Sequence, residues 1–244
     1  MHLPPRRRTH IFSLGRLGQP FSIYGITWVL DGDGRSGSVV IALGGGKGSD
    51  TGACSTSEWW FQKDKADVLR LYGNANHPCL RFGDGSGLWI AKATQWCRKK
   101  YSKVFLSGFS AGANVTALYL CTGFSKKYPV DGVLIAGIMD TGFSKQFMGS
   151  WGVIEVPIII AKGKDVPRAI DVSDQFYRRI SSKEKTLTDC NSRHDTRDMW
   201  DSCGSDFLRW VSKREAYLKA LSKRRRTKLR SRRLRMRSRR SRIS

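Results

Sequence analysis

The chain has 244 residues and a formal net charge of +24, with 44 Lys and Arg against 20 Asp and Glu. An apolar fraction of 40% and eight tryptophans are sufficient for a sizeable core, which excludes a wholly disordered protein. The longest apolar runs, such as VPIIIA at 156–161, are too short to cross a bilayer, and the N-terminus lacks a secretory apolar region. We therefore expect an intracellular protein without a transmembrane segment.

The positive charge is concentrated at the C-terminus. Residues 223–244 contain 13 Lys or Arg and no acid, and the remainder of the chain is also basic. So few large apolar residues occur there that this segment cannot build a core. The composition predicts a basic leader at 1–20, one domain at 21–222 and a disordered arginine-rich tail at 223–244.

Six cysteines occur without a C-x-x-C pair and without histidines at zinc-finger spacing. This pattern predicts no metal site. An even number of cysteines permits disulfides, but we expect scattered, mostly buried thiols in a reducing compartment.

The first half of the chain alternates strand and helix signals. A helix is predicted at 55–73, where Ser55 and Glu58 have capping-box spacing and Gly73 can end the helix. The predicted strands around it are FSIYGITWVL (21–30), SVVIAL (38–43) and HPCLRF (77–82), and a second helix is LWIAKATQWCRKKY (88–101). The segment DGDGRSG, between the first two strands, is predicted to be a loop or hairpin turn.

The second half continues the alternation. The predicted strands are KVFLSGF (103–109), VDGVLIAGI (130–138), VPIIIAKG (156–163) and KTLTDC (185–190). The predicted helices are AGANVTALYLC (111–121), VSDQFYRRI (172–180) and DFLRWVSKREAYLKAL (206–221). Alternating strands and helices are typical of an α/β domain with a mostly parallel central sheet covered by helices on both faces.

Ser110 lies in the pattern G-x-S-x-G, between Gly108 and Gly112. A strand is predicted before it and a helix directly after it, which places the serine in a tight, strained turn. The N-terminus of that helix favours negative charge, and the amide of Ala111 can point at a developing oxyanion. The pattern therefore predicts a nucleophilic serine.

A second oxyanion donor is expected in the glycine-rich loop LGGGKG (43–48). Gly45 and Gly46 allow backbone amides to face a substrate, and we assign both to the oxyanion hole. A phosphate-binding loop needs Ser or Thr directly after Gly-Lys, whereas Gly48 follows Lys47 here.

Three segments together resemble the α/β-hydrolase family. SVVIALGGG resembles its strand and oxyanion loop, LRFGDGSG its next strand and turn, and VFLSGFSAGAN its nucleophile elbow. The resemblance covers residues 25–212 in element order. It implies a lidless serine esterase or lipase-like hydrolase without a cofactor, in which an acid and then a histidine follow the serine.

Both residues occur in that order. Asp165 follows the strand VPIIIAKG, and His194 lies between the last strand and the closing helix. By the resemblance, His194 takes the proton of Ser110, and Asp165 orients the imidazole. Asp171 and Asp195 are alternative acids, and Asp165 could instead cap the following helix or turn. Arg193 directly precedes His194, whereas the residue before the histidine is commonly glycine in the family.

The expected substrates are small carboxylic esters or thioesters. Residues 139–155, where larger relatives carry a lid, suit a short aromatic loop. An open site fits small soluble substrates better than long acyl chains. We assign the acyl pocket to Phe109, Phe147 and Trp151.

The tail suits phosphate backbones because of its density of guanidinium groups. We expect non-specific RNA or DNA binding through Arg224, Arg225, Arg226, Arg232, Arg233, Arg239 and Arg240. Such a tail is also typical of nuclear or nucleolar addresses, of segments that bind an anionic membrane, and of virion proteins. The alternative function is therefore a catalytically inactive hydrolase-like protein that binds nucleic acid through its tail, in a structural or viral packaging role.

Overall fold

The computed structural model describes residues 18–32, 34, 36–45, 66–71, 86–121, 123–138, 156–182, 184–190, 207, 209 and 213. The strands in these ranges are β1 (Pro20–Ile23), β2 (Ile26–Asp31), β3 (Ser38–Leu43), β4 (Asp67–Leu71), β5 (Lys103–Phe109), β6 (Gly132–Ala136), β7 (Ile158–Lys162) and β8 (Lys185–Asp189). The helices are α1 (Ser86–Arg98), α2 (Ala111–Cys121), α3 (Phe124–Lys127) and α4 (Pro167–Arg179).

The described strands form one sheet of eight strands in the order β1-β2-β4-β3-β5-β6-β7-β8. β2 is antiparallel to both of its neighbours, whereas β3 to β8 run parallel to one another. The carboxyl ends of the parallel strands therefore meet at one edge of the sheet, which we call the C-terminal edge. Open parallel sheets bind their ligands at this edge. The predicted mostly parallel sheet is confirmed.

Alternate residues of β5 face two separate layers. Val104 and Leu106 are fully buried among side chains from α1, α2 and α4. Phe105 faces the other side, where it contacts Phe207 edge-on with ring centroids 6.3 Å apart. Phe207 has helical backbone, so helical residues cover both faces of the sheet, as expected.

The predicted helix at 55–73 is wrong for Asp67–Leu71, which forms β4. This strand lies between β2 and β3, and Val68, Leu69 and Leu71 are at most 3% exposed. A strand that is buried on both faces loses the alternation that distinguishes it from a helix. Ser55, Glu58 and Gly73, which supported the helix, lie outside the described residues.

The predicted single strand at 21–30 is a hairpin made of β1 and β2. Tyr24 and Gly25 form its turn, with φ angles of 53° and 77°. Two successive residues with positive φ are typical of the tight turns that match the twist of paired strands. A tyrosine at the first of these positions hid the turn signal.

The remaining strand and helix predictions are confirmed for their described residues, several with shifted ends. The closing helix predicted at 206–221 is described only at residues 207, 209 and 213, and α3 was not predicted. α4 begins at Pro167, five residues before the predicted start, because proline suits the first turn of a helix. The loop DGDGRSG joins strands that are not neighbours, since β4 separates β2 from β3. The strand predicted at 77–82 and the tail at 223–244 lie outside the described residues. No helix in the described ranges is long and apolar enough to span a membrane.

Candidate functional site: a serine elbow at the C-terminal edge

Ser110 connects β5 directly to α2 at the C-terminal edge of the sheet. Its φ angle is 52°, in the left-handed region that side chains other than glycine rarely adopt. Such strain is held in place only when the surrounding structure determines the backbone. The strained turn predicted from G-x-S-x-G is therefore present.

The backbone of Ser110 is held from two sides. Its amide donates to the carbonyl of Ala136 at the end of β6, at 2.9 Å. Its carbonyl accepts from the amide of Asn114 in α2, at 3.1 Å. One neighbouring strand and the following helix therefore fix the position of this residue.

The glycines on either side of Ser110 allow a close approach of strand, helix and loop. A Cβ at Gly108 would lie 2.3 Å from the carbonyl oxygen of Gly112 and 2.4 Å from Thr116 Oγ1. A Cβ at Gly112 would lie 2.3 Å from the carbonyl oxygen of Leu43. Real Cβ atoms do not come this close to backbone oxygens, so both positions require glycine.

The loop after β3 lies directly beside the serine. The amide of Gly112 donates to the carbonyl of Gly44 at 3.1 Å. A Cβ at Gly45 would lie 3.3 Å from Ser110 Cβ and 3.0 Å from Phe109 Cδ1. The structure therefore brings together Gly45, Phe109, Ser110 and Ala111, which were predicted from separate parts of the sequence.

Asp165 lies in the exposed turn after β7, at the same edge of the sheet as Ser110. The N-cap of α4 is Val166, and no side-chain hydrogen bond caps the helix. Asp165 is therefore not the N-cap residue of α4, and its assignment as the acid stays a prediction. Asp171, the alternative acid, is exposed within α4.

A cleft of about 470 Å³ lies at the C-terminal ends of β7 and β8. Lys162, in its wall, places its ammonium group 2.9 Å from Asp174 and 3.1 Å from Asp189. The hydrogen bond from Lys162 to Asp174 raises the pKa of Lys162. The cleft is lined by Lys162, Gly163, Lys164, Ile170, Asp189 and Cys190. Sequence reasoning missed this ion-pair cluster, because the pairing of β7 with β8 brings Asp189 to Lys162 and the packing of α4 brings Asp174.

Cys190 is disulfide-bonded, to a cysteine outside the described residues. It directly follows β8, and its amide donates to the carbonyl of Lys162 at 2.8 Å. Cys97 and Cys121 are free. Burial raises the pKa of both thiols, that of Cys121 to about 12. The expectation of free thiols is therefore confirmed for Cys97, which is buried, and for Cys121, which is half-buried, and it is wrong for Cys190.

The other predicted site residues lie outside the described ranges, and their assignments stay predictions. They are Gly46, Phe147, Trp151, His194, the alternative acid Asp195 and the seven tail arginines Arg224, Arg225, Arg226, Arg232, Arg233, Arg239 and Arg240. Within the described part of the chain, no group of three or more His, Cys, Asp and Glu is arranged to hold a metal ion.

No protein-family model and no curated protein matches the chain. Solved structures of similar fold include the Pyrococcus furiosus esterase Pf2001, at 15% identity and a TM-score of 0.57, covering 80% of this chain and 87% of the esterase. A soluble variant of the Saccharomyces cerevisiae monoglyceride lipase matches at 14% identity with a TM-score of 0.54, and the match covers 86% of this chain and 98% of the lipase. Dienelactone hydrolase from Anabaena variabilis matches at 15% identity with a TM-score of 0.53, and the match covers 80% of this chain and 94% of the hydrolase. Together with the strand order and the serine elbow, these similarities show that the chain has the α/β-hydrolase fold.

Proposed function

We propose that the protein is a serine hydrolase of small carboxylic esters or thioesters. The observation that carries the proposal is the left-handed backbone of Ser110 between β5 and α2. A strained serine at a strand-to-helix turn presents its hydroxyl above the sheet edge, as a nucleophile requires. The esterase, the lipase and the hydrolase of similar fold support the same class of reaction.

In the proposed reaction, Ser110 Oγ attacks the carbonyl carbon of the ester, and His194 accepts its proton. The resulting imidazolium protonates the leaving alcohol or thiol as the bond to the acyl carbon breaks. Water, deprotonated by the same histidine, then attacks the acyl carbon, the bond from this carbon to Ser110 Oγ breaks, and the imidazolium returns its proton to Ser110 as the carboxylic acid leaves.

The oxyanion formed in each step is stabilised by the amides of Ala111 and Gly45. Ala111 is the first residue of α2, and the first amides of a helix have no acceptor within the helix. Gly45 lies against Ser110, in the loop anchored by the hydrogen bond from Gly112 to Gly44. Preorganised backbone donors of this kind contribute about 3–4 kcal/mol each to transition-state stabilisation.

Asp165 is the acid that we assign to orient His194. It lies at the C-terminal edge after β7, whereas the competing Asp171 is within a helix. β8 ends at Asp189 beside β7, and His194 follows five residues later in the chain. The parallel pairing of β7 and β8 supports an approach of the acid and the histidine from neighbouring strand ends.

The acyl group is assigned to a pocket walled by Phe109, Phe147 and Trp151. Phe109 supports this assignment, since its ring lies beside Gly45 and it immediately precedes Ser110. The small size of the expected substrate follows from the short segment at 139–155. A variant with Phe147→Ala and Trp151→Ala should lose activity on short-chain esters.

Labelling with a fluorophosphonate probe tests the proposal. Ser110 of the folded wild-type protein should be modified, and Ser110→Ala should abolish both labelling and ester hydrolysis. Ser107→Ala is a matched control three residues earlier, because the buried Ser107 hydroxyl has no hydrogen-bond partner within the described structure. It should keep both. Folded protein that is not labelled at Ser110 would refute the proposal.

A further inference from the structure

A cluster of basic residues lies at the N-terminal edge of the sheet, opposite Ser110. The end of α1, the start of β5 and the short helix α3 supply it. We call it the basal patch, and its members are Arg98, Lys99, Lys100, Lys103, Lys126 and Lys127. Among the described residues of these elements and of the turn before β6, Asp131 is the single acid.

Contacts of Arg98 join the parts of the basal patch. Its guanidinium donates to the carbonyl of Pro129 at 2.8 Å, which attaches the end of α1 to the segment after α3. It also lies 2.7 Å from Asp131, whose other oxygen is 3.3 Å from Lys103. Asp131 therefore pairs with Arg98 and Lys103, and the four lysines Lys99, Lys100, Lys126 and Lys127 leave the patch with a positive net charge.

Two lysines of the patch are exposed and partly oriented by aromatic rings. The ammonium group of Lys100 lies 5.5 Å from the ring centre of Tyr101, and that of Lys127 lies 5.6 Å from the ring centre of Tyr128. Tyr128 is held in turn, since its carbonyl accepts a hydrogen bond from Tyr119. Side chains that are already oriented lose less conformational entropy when they bind a ligand.

We propose that the basal patch binds the phosphate backbone of nucleic acid, independently of the tail. Clustered lysine and arginine side chains neutralise phosphates without reading sequence. The folded domain then contributes to the nucleic-acid affinity that was predicted from the sequence for residues 223–244 alone.

The position of the patch favours nucleic acid over an anionic membrane. β5 separates it from Ser110 by seven residues, which span roughly 23 Å in a strand. The patch is therefore remote from Ser110, and a ligand bound there does not cover the serine. Among the described residues, the large apolar side chain that is exposed is that of Tyr24, in the β1–β2 turn. No described residue of the patch therefore offers an exposed apolar side chain that could insert into lipid.

Two charge-matched variants of the full chain test the proposal. The first is Lys100→Glu with Lys127→Glu; the control is Arg178→Glu with Lys213→Glu, which reverses two exposed charges in α4 and at a helical position near the C-terminus. Both keep the tail and have the same net charge. Binding of a fluorescent oligouridine RNA is titrated at several salt concentrations between about 0.05 and 0.2 M.

The patch variant should bind about tenfold more weakly than the control, with a salt slope smaller in magnitude by about 1.4, as expected when two phosphates of a single strand are no longer neutralised. Thermal melting confirms that both variants fold, and Lys126→Ala with Lys127→Ala provides a milder patch variant. Equal RNA affinity and slope in the patch variants and the control would overturn the proposal. So would a patch variant that loses binding to phosphatidylserine vesicles and keeps binding to RNA.

Discussion

The amide of Gly112 donates to the carbonyl of Gly44 at 3.1 Å, and this bond joins the first turn of α2 to the loop after β3. It connects the segment that carries the proposed nucleophile with the segment that carries the proposed second oxyanion donor. The relative position of Ser110 and Gly45 therefore depends on a contact in which no side chain takes part.

Gly112→Ala should destabilise the protein and reduce labelling of Ser110. The new Cβ would lie 2.3 Å from the carbonyl oxygen of Leu43 and 2.6 Å from that of Gly44, so the loop or the helix must move. We expect a decrease of about 1–3 kcal/mol in the free energy of unfolding, measured with urea.

Gly123→Ala is the control for this change. Gly123 has a φ of 77° and no atom within 4 Å of an added Cβ, so the cost is limited to backbone strain of about 1 kcal/mol. Labelling of Ser110 should be unchanged. If both variants keep full labelling, the hydrogen bond between Gly112 and Gly44 does not position the site.

Ser110→Gly should be more stable than Ser110→Ala. Both remove the hydroxyl, but only glycine adopts a φ of 52° without steric strain. We expect a difference of about 1 kcal/mol in the free energy of unfolding. Equal stabilities of the two variants would show that the turn imposes no strain on its serine.

Asp165→Asn should lower kcat on a short-chain ester by on the order of 10⁴-fold, because an amide cannot hold the catalytic imidazole in the required tautomer. The exposed position of Asp165 predicts little change in stability. Asp171→Asn is the control and should keep wild-type activity. A loss of activity in Asp171→Asn, with Asp165→Asn unaffected, would transfer the role of the acid to residue 171.

Reduction of the Cys190 disulfide should lower the free energy of unfolding by about 2–4 kcal/mol, measured in urea with and without dithiothreitol. Cys190→Ser should show the lower stability in both conditions. Cys97 and Cys121 should not interfere by thiol exchange, because their raised pKa values keep them protonated near neutral pH. Identical unfolding curves of the wild type in both conditions would contradict the prediction.

Deletion of residues 223–244 should weaken RNA binding and flatten its salt dependence. The segment carries 13 of the basic residues, and the magnitude of the slope falls by about 0.7 for each phosphate that the protein no longer neutralises. Unchanged affinity and slope after deletion would show that the tail does not bind RNA.

The serine elbow was predictable because its signal is local. Gly108, Ser110 and Gly112 lie within five residues, and the strand before and the helix after them have distinct patterns. β4 was not predictable, because Leu69 and Leu71 pack into one core cluster and Val68 into the other, and both clusters are built from segments distant in the chain. The hairpin at Tyr24 was missed because a residue other than glycine adopts positive φ there.

The amino-acid sequence by itself determined the α/β class, the order of most strands and helices, and the serine at the turn between β5 and α2, since these follow from short-range periodicity and from glycine spacing. Only the tertiary structure decided that the Gly44–Gly45 segment lies against Ser110, that Lys162 joins Asp174 and Asp189, and that basic residues from α1, β5 and α3 form one surface. Each of these depends on strand pairing or helix docking between distant segments, and the energy of such contacts is not encoded in any local pattern.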